Sequence, residues 1–257
     1  MIRRILGAVV ALLVVSVLAG CGSVGDAVSS EGEGSQVVSG ESVESAESVA
    51  PAAETEAEAE PAAVIEVVEH GFTQVPAGEY SSPQVTYGVV FANSGTAIAV
   101  DARVQITFTG ADGAVVSAEE DYLTAVLPGQ RAALGASVYD LDGVTAMSVQ
   151  VLPGGTEPAD DVAGNFEVTQ VATSAEEYGG LTTTATIASP FSKDLQDLYA
   201  TAIHRGVDGA IVGGDFTYLS FVPAGGTAGV EISTAADLPA PASSEVYVQL
   251  SGLSLLG

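Results

Sequence analysis

Few side chains in this sequence could do chemistry. It holds one cysteine, Cys21, two histidines, His70 and His204, and thirty-three acidic residues against six basic ones. A zinc site needs three or four His, Cys or carboxylate ligands that converge, usually at short spacings, and no such set occurs. His70 stands beside Gly71 near the first strand pattern, as a solvated residue, and His204 lies alone on a later strand pattern. Nucleophilic catalysis by serine wants a strained, exposed elbow such as Gly-x-Ser-x-Gly. Gly135-Ala136-Ser137-Val138-Tyr139 lacks the second glycine and falls in a strand pattern, so Ser137 reads as a strand serine. No Gly-x-Gly-x-x-Gly or Walker loop is present. Paired carboxylates can do acid–base work when one is buried and its pKa is raised, but Glu119-Glu120-Asp121 and Glu176-Glu177 stand in polar surroundings and read as solvated surface charge. Asp140-Leu141-Asp142-Gly143 has the start of a calcium loop without the third acidic ligand or distal glutamate of an EF-hand, so a loop site for Ca²⁺ stays open as an alternative. The residues predict no catalytic, metal or cofactor site, and hence no enzyme.

Cys21 is the one residue whose surroundings specify a reaction. Arg3 and Arg4 precede an apolar run from Ile5 to Ala19, and Leu18-Ala19-Gly20 leads into the cysteine. A positive start, an apolar segment and small residues before a cleavage point make a secretory signal. With the cysteine in that place it resembles the signal peptide of bacterial lipoproteins. The run is shorter than the roughly twenty residues a membrane-spanning helix needs. The resemblance implies cleavage before Cys21, diacylglycerol on its thiol and a further acyl chain on its new amino group. Two or three chains make a stable anchor where one does not. Residues 1–20 are then the leader, Cys21 the lipidation site, and the membrane the first partner. The expected location is the outer face of the cell membrane, or an outer membrane if one is present.

Cleavage removes two of the six basic residues and leaves four against thirty-three acidic ones, a formal charge of −29. Nucleic acid is excluded as a partner, because phosphate binding wants clustered Lys and Arg, whereas Arg103, Arg131, Lys193 and Arg205 are scattered singly. The same field favours cations and basic partners as well as plain solubility. With its one thiol acylated the mature chain has no disulfide, so each domain is held by packing alone.

From Gly22 to about Ala63 the chain is Ser, Glu, Gly, Ala and Val with no aromatic residue. Such a segment cannot bury enough apolar surface to order itself, and its like charges extend it. Residues 21–63 therefore read as the lipidated cysteine and a disordered acidic tether, with a reach of roughly 35 Å. Beyond it, β-branched and aromatic runs alternate with Gly, Pro and Asp turns, as in all-β domains. Along Ala102 to Thr109, Val104, Ile106 and Phe108 point to one face and Arg103, Gln105 and Thr107 to the other. Gly110-Ala111-Asp112-Gly113 is a hairpin turn, with Asp-Gly supplying the positive φ.

That hairpin occurs twice. Asp112-Gly113-Ala114-Val115-Val116 matches Asp208-Gly209-Ala210-Ile211-Val212 at a spacing of 96, which also carries Phe91 onto Ile187, Val104 onto Ala200, Phe108 onto His204 and Gly129 onto Gly225. The spacing predicts tandem domains. The first is placed at 64–152 and the second at 164–257, with an acidic linker over 153–163. Each has about seven strands and no long helix, which suggests an immunoglobulin-like β-sandwich. In this register His204 caps a core face at the sandwich rim. The eight tyrosines follow strand patterns and read mostly as core or half-buried.

Asn93-Ser94-Gly95, the long strand Val104 to Phe108, Asp112-Gly113 and Leu127-Pro128-Gly129 together resemble the FxLyD-type and related immunoglobulin-like domains of exported bacterial and archaeal lipoproteins. The first copy covers this pattern from about Pro83 to Val138. The second departs from it, with Ser189-Pro190 at the place of Asn93-Ser94 and an extra residue in Val222-Pro223-Ala224-Gly225. The matching motifs are turn chemistry, so the resemblance implies fold, and it carries over no catalytic residues. The expected function is that of a non-enzymatic, surface-anchored interaction or spacer module with an envelope protein as partner, bound through strand edges or end loops. The alternative is an accessory lipoprotein that binds Ca²⁺ or a cationic solute.

Overall fold

The computed structural model describes residues 62–79, 81–160, 162–177, 179–235, 238 and 240–251. The leader, Cys21 and the tether up to residue 61 lie outside them. Ala62, at the end of the segment read as tether, accepts hydrogen bonds on its carbonyl from the N–H groups of Thr96 at 2.9 Å and Ala97 at 3.2 Å.

The chain is all-β. In order come β1 (Ile65–Val75), β2 (Gln84–Asn93), β3 (Ile98–Gly110), β4 (Val115–Val126), β5 (Arg131–Tyr139), β6 (Val144–Leu152) and β7 (Gly155–Glu157). They are followed by β8 (Glu167–Ala175), β9 (Leu181–Ala188), β10 (Leu195–Arg205), β11 (Ile211–Val222), β12 (Thr227–Thr234) and β13 (Ser243–Gln249). Every pairing is antiparallel. The first sandwich sets the sheet β1-β2-β5 against β4-β3-β6, and the second sets β8-β9-β12 against β11-β10-β13.

Among the described residues the second copy has six strands, where about seven were expected, and the first has the same six and a short seventh, β7. The short β7 falls inside 153–163, the stretch read as a linker, and continues the edge that β6 begins. β6 pairs with β3 from Arg103 onward, and β7 pairs with Ile98 to Val100. Pro153 has no N–H to donate, so the ladder breaks there and resumes beyond Gly154.

The 96-residue repeat extends to individual hydrogen bonds. β4 and β11 are offset by 96 at both ends, and β5 and β12 at their starts. Gly113 N–H donates to Gly110 and Gly209 N–H to Gly206, both at 3.0 Å. Asp112 Oδ1 receives the Ala114 N–H as Asp208 Oδ1 receives that of Ala210. Asp101 and Asp197 both carry positive φ, at 52° and 55°. Where the second copy departs in sequence, Ser189 performs the turn of Asn93: Asn93 Oδ1 accepts from the N–H of Gly95, and Ser189 Oγ from that of Phe191. Short polar side chains of both kinds bond the backbone two residues on.

The second property of the fold is legible in β2, an almost uninterrupted buried strand. Val85, Tyr87, Val89 and Phe91 enter the first core with Val104, Ile106, Phe108 and Leu123. The alternate residues Thr86, Gly88 and Val90 face the other way, onto β11-β10-β13. There Val90 and Ala133 pack with Ile203 and Ile211. β10 is likewise two-sided, since Leu198, Ala200 and Ala202 belong to the second core and Ile203 to the seam. The four sheets are thus stacked, with β1-β2-β5 and β11-β10-β13 as the two inner layers.

Glycine makes that seam close. A Cβ on Gly71 would lie 2.2 Å from the Ile211 carbonyl oxygen, and one on Gly135 would lie 2.8 Å from Gly214 C and Asp215 N. Both neighbours are backbone and cannot swing aside, so only glycine fits. Polar groups bridge the same seam. Thr73 Oγ1 donates to Val212 O at 2.6 Å, Gln249 Nε2 to Ala133 O at 2.8 Å, and Gln130 Nε2 to Val248 O at 2.6 Å. Arg205 Nη1 donates to Glu69 Oε2 at 2.8 Å, and its guanidinium also pairs with Glu245. The hydrogen bond from Arg205 holds the Glu69 carboxyl below its ordinary range, against the opposing pull of burial.

Candidate functional site

Where the seam runs out, the two sandwiches diverge and enclose a cavity of about 360 Å³. The first sandwich contributes Asp101 from β3, Asp121, Tyr122 and Thr124 from β4, and Leu134 and Gly135 from β5. The second contributes Tyr199 and Thr201 from β10, Phe216 and Tyr218 from β11, and Gln249 from β13. The volume is at the lower end for small-molecule sites, which are concave and largely apolar with a few placed polar groups.

Strand pairing creates the aromatic wall. Tyr199 lies directly opposite Tyr218, and Thr201 opposite Phe216, so all four side chains leave the same face of the sheet. The ring centroids of Tyr199 and Tyr218 are 4.9 Å apart, and those of Phe216 and Tyr218 are 5.6 Å apart at 76°. Tyr199 is half-buried, whereas Phe216 and Tyr218 are 40% and 62% exposed. Exposed aromatic rings grouped in this way offer π faces to a ligand. Tyr122 forms part of the facing wall and donates its hydroxyl to Glu120 Oε1 at 2.9 Å.

The polar lining is acidic. Asp121 Oδ1 accepts from the Tyr122 N–H at 2.7 Å, and no basic group among the described residues pairs with it. Burial pushes its carboxyl above the usual range, only partly offset by that N–H. No lining residue is basic. On the edge strand behind the wall, burial pushes Asp215 up to about 6.

The residues singled out in the sequence fall elsewhere, with one exception. Cys21 lies outside the described residues. His70 is an exposed residue of β1, and Ser137 sits in β5. His204 lies at the end of β10, on the core face as expected, and is fully buried there. Its Nδ1 is 2.9 Å from Ser244 Oγ and its Nε2 3.0 Å from Thr234 Oγ1, and burial lowers its pKa to about 4. It is a neutral core histidine with both nitrogens satisfied. The Asp140 to Gly143 stretch is a turn stapled by Gln74, whose Nε2 donates to Leu141 O at 2.9 Å and whose Oε1 accepts from Val144 N–H at 3.1 Å. No group of three or more His, Cys, Asp or Glu that could hold a metal occurs among the described residues. Of the two acidic runs, Glu176 and Glu177 are exposed, while in the other Glu120 pairs with Arg103 at 3.4 Å and Asp121 enters the cavity. Asp121 is therefore not the solvated charge its neighbours suggest. Of the six described tyrosines, Tyr87 is buried and Tyr199 and Tyr247 are half-buried, as expected of most, while Tyr122, Tyr139 and Tyr218 are exposed by 47%, 58% and 62%. Alternation along a strand separates its two faces, but it does not say which of them water reaches.

No protein-family model matches the sequence. No curated protein matches it either. Among solved structures the chain is similar to the crystal structure of the C-terminal globular domain of an oligosaccharyltransferase from Pyrococcus abyssi, with 9% identity and a TM-score of 0.19 over 73% of this chain. The chain spans 46% of the length of that structure.

Proposed function

We propose that this protein is an exported, lipid-anchored, non-enzymatic interaction module that engages its ligand or partner at the cleft between its two sandwiches. The observation that carries the reading is the cleft itself, whose walls come from both copies and whose spacing is fixed by a glycine seam. A preformed site on rigid strands binds without the entropic cost of ordering loops. The reading of Cys21 as the anchor rests on its leader, and the reading as a binder rather than a catalyst rests on the lining, in which no nucleophile stands beside a general base.

Two measurements test it. In a lipoprotein-processing host, labelled palmitate is expected to enter the wild-type chain and not Cys21→Ala, which leaves the membrane fraction. In pull-downs from detergent-solubilised envelopes, the wild-type chain is expected to retain one stoichiometric component that the double variant Tyr199→Arg, Phe216→Glu loses. That variant gives the second copy the residues found at Arg103 and Glu120 of the first. Equal recovery by both proteins would show that the cleft is not the binding site. The rigidity of the seam would then favour a spacer, the second reading.

A further inference from the structure

We infer that the cleft binds a small organic cation with a substituted ammonium head, seated on the rings of Tyr199, Phe216 and Tyr218 with Asp121 and Asp101 as its counter-charges. The inference rests on the reading of the cleft as a binding site and names the chemistry of the occupant.

The rings and the charges point the same way. An aromatic face attracts a cation through its quadrupole, and aromatic cages are the recurring solution for quaternary ammonium groups. A compact inorganic cation would instead require several converging oxygen ligands, and no such group occurs among the described residues. A carboxylate partly withdrawn from water without a basic partner is disfavoured, and the half-buried Asp121 is in that position, with one backbone N–H as its hydrogen-bond partner. A bound cation supplies the missing charge. An anion would meet Asp101 and Asp121 with no basic side chain in the lining, and so is excluded from the same cleft. The formal charge of −27 for the whole chain raises the local concentration of cations near the entrance.

The contrast with the first copy is what makes the rings informative. At the positions equivalent to Tyr199, Phe216 and Tyr218, the first copy has Arg103, Glu120 and Tyr122, joined by an exposed ion pair and a hydrogen bond. A solvated sheet face needs no more than that. The second copy has exchanged the charged pair for rings where an Asp-lined cavity opens.

The test is calorimetric titration of the full chain at fixed ionic strength with choline and, separately, with 3,3-dimethyl-1-butanol, the neutral compound of nearly the same shape. Choline is expected to bind saturably at one site and the alcohol at least about tenfold more weakly. Asp121→Asn should weaken choline about tenfold, and Tyr218→Leu, which keeps apolar bulk but removes the π face, about fivefold. Thermal melting of each variant verifies folding, and Tyr122→Leu provides a second probe of the facing wall should Tyr218→Leu fold poorly. Equal binding of the two compounds, unchanged choline affinity in the folded variants, or no choline binding at 10-fold excess over the millimolar range would overturn the inference. Loss of the envelope component in the Tyr199→Arg, Phe216→Glu variant would in that case leave the cleft as a binding site for another chemistry.

Discussion

The two sandwiches fill the same end of their cores in opposite ways. In the first, Phe108 packs between Phe72 at 6.3 Å and Tyr87 at 5.7 Å between ring centroids, among the apolar residues Val138 and Met147. At the equivalent strand positions the second copy has Thr173, Thr183, His204, Thr234 and Ser244. The equivalence follows from the ladders: Phe72 pairs with Tyr87 as Thr173 pairs with Thr183, Phe108 pairs with Met147 as His204 pairs with Ser244, and Val85 pairs with Val138 as Leu181 pairs with Thr234. The hydroxyls join into a chain in which Thr173 Oγ1 donates to Ser244 Oγ at 2.8 Å, and Ser244 and Thr234 hold the imidazole. Five positions have therefore changed together while the backbone ladder is kept. A buried polar network is stable only when each member is satisfied, so one of these exchanges made alone would leave polar groups without partners.

That interdependence gives the largest expected effect. Phe108→His puts the imidazole into the first core without the hydroxyl pair that receives it in the second, and should cost about 4 kcal/mol in chemical denaturation, from lost ring packing and an unsatisfied polar group. A cost below about 1 kcal/mol would show that the two ends are interchangeable. Gly135→Val tests the seam rather than the cores. Its side chain meets the backbone of Gly214 and Asp215, so about 3 kcal/mol is expected, together with separation of a single unfolding transition into two.

The polar core also carries a pH signature that the aromatic one lacks. His204 titrates near 4 in the folded chain against 6.5 for an ordinary histidine, so the folded state binds fewer protons over that interval. The stability this gives is present above about pH 6.5 and is lost as pH falls toward 4, by about 3 kcal/mol. Asp215 acts in the opposite sense, because its pKa is raised to about 6 and the folded state binds more protons than the unfolded one. Comparing wild type with His204→Phe at each pH cancels Asp215 and isolates His204. The stability advantage of wild type should shrink steadily from pH 6.5 to 4, and a constant difference would mean that His204 is not buried neutral. The smallest effect expected is that of Glu69→Gln, about 1 kcal/mol, because Glu69 is partly solvated although it pairs with Arg205 across the seam. Its contribution should fade in acid as the carboxylate protonates.

Much of the backbone is legible in the sequence because turn chemistry is local. Asp112-Gly113 and Asp208-Gly209 fix two hairpins at the same spacing, and the repeat carries Phe108 onto His204 from the sequence alone. The seam left a weaker trace. In Gln84 to Asn93 both alternating sets of residues are apolar or small, the pattern of a strand covered on both faces, but nothing local says that β11-β10-β13 is the cover. The cleft was the least legible part, since Asp121 carries the same carboxylate as its neighbours Glu119 and Glu120, and only the tertiary approach of β10 and β11 places it in a cavity lining. Likewise Leu198 to Ile203 is apolar or small on both faces, so periodicity did not assign Tyr199 to a site rather than to a core.

The exchange of Arg103 and Glu120 of the first copy for Tyr199 and Phe216 in the second is tested most directly by ring-labelled NMR. On titration of the full chain with choline, the resonances of Tyr199, Phe216, Tyr218 and Tyr122 should shift together and saturate along one curve, while those of the exposed Tyr139 and the buried Tyr87 stay in place. Shifts that grow linearly and equally at Tyr139, or no shift at Phe216 and Tyr218, would contradict it.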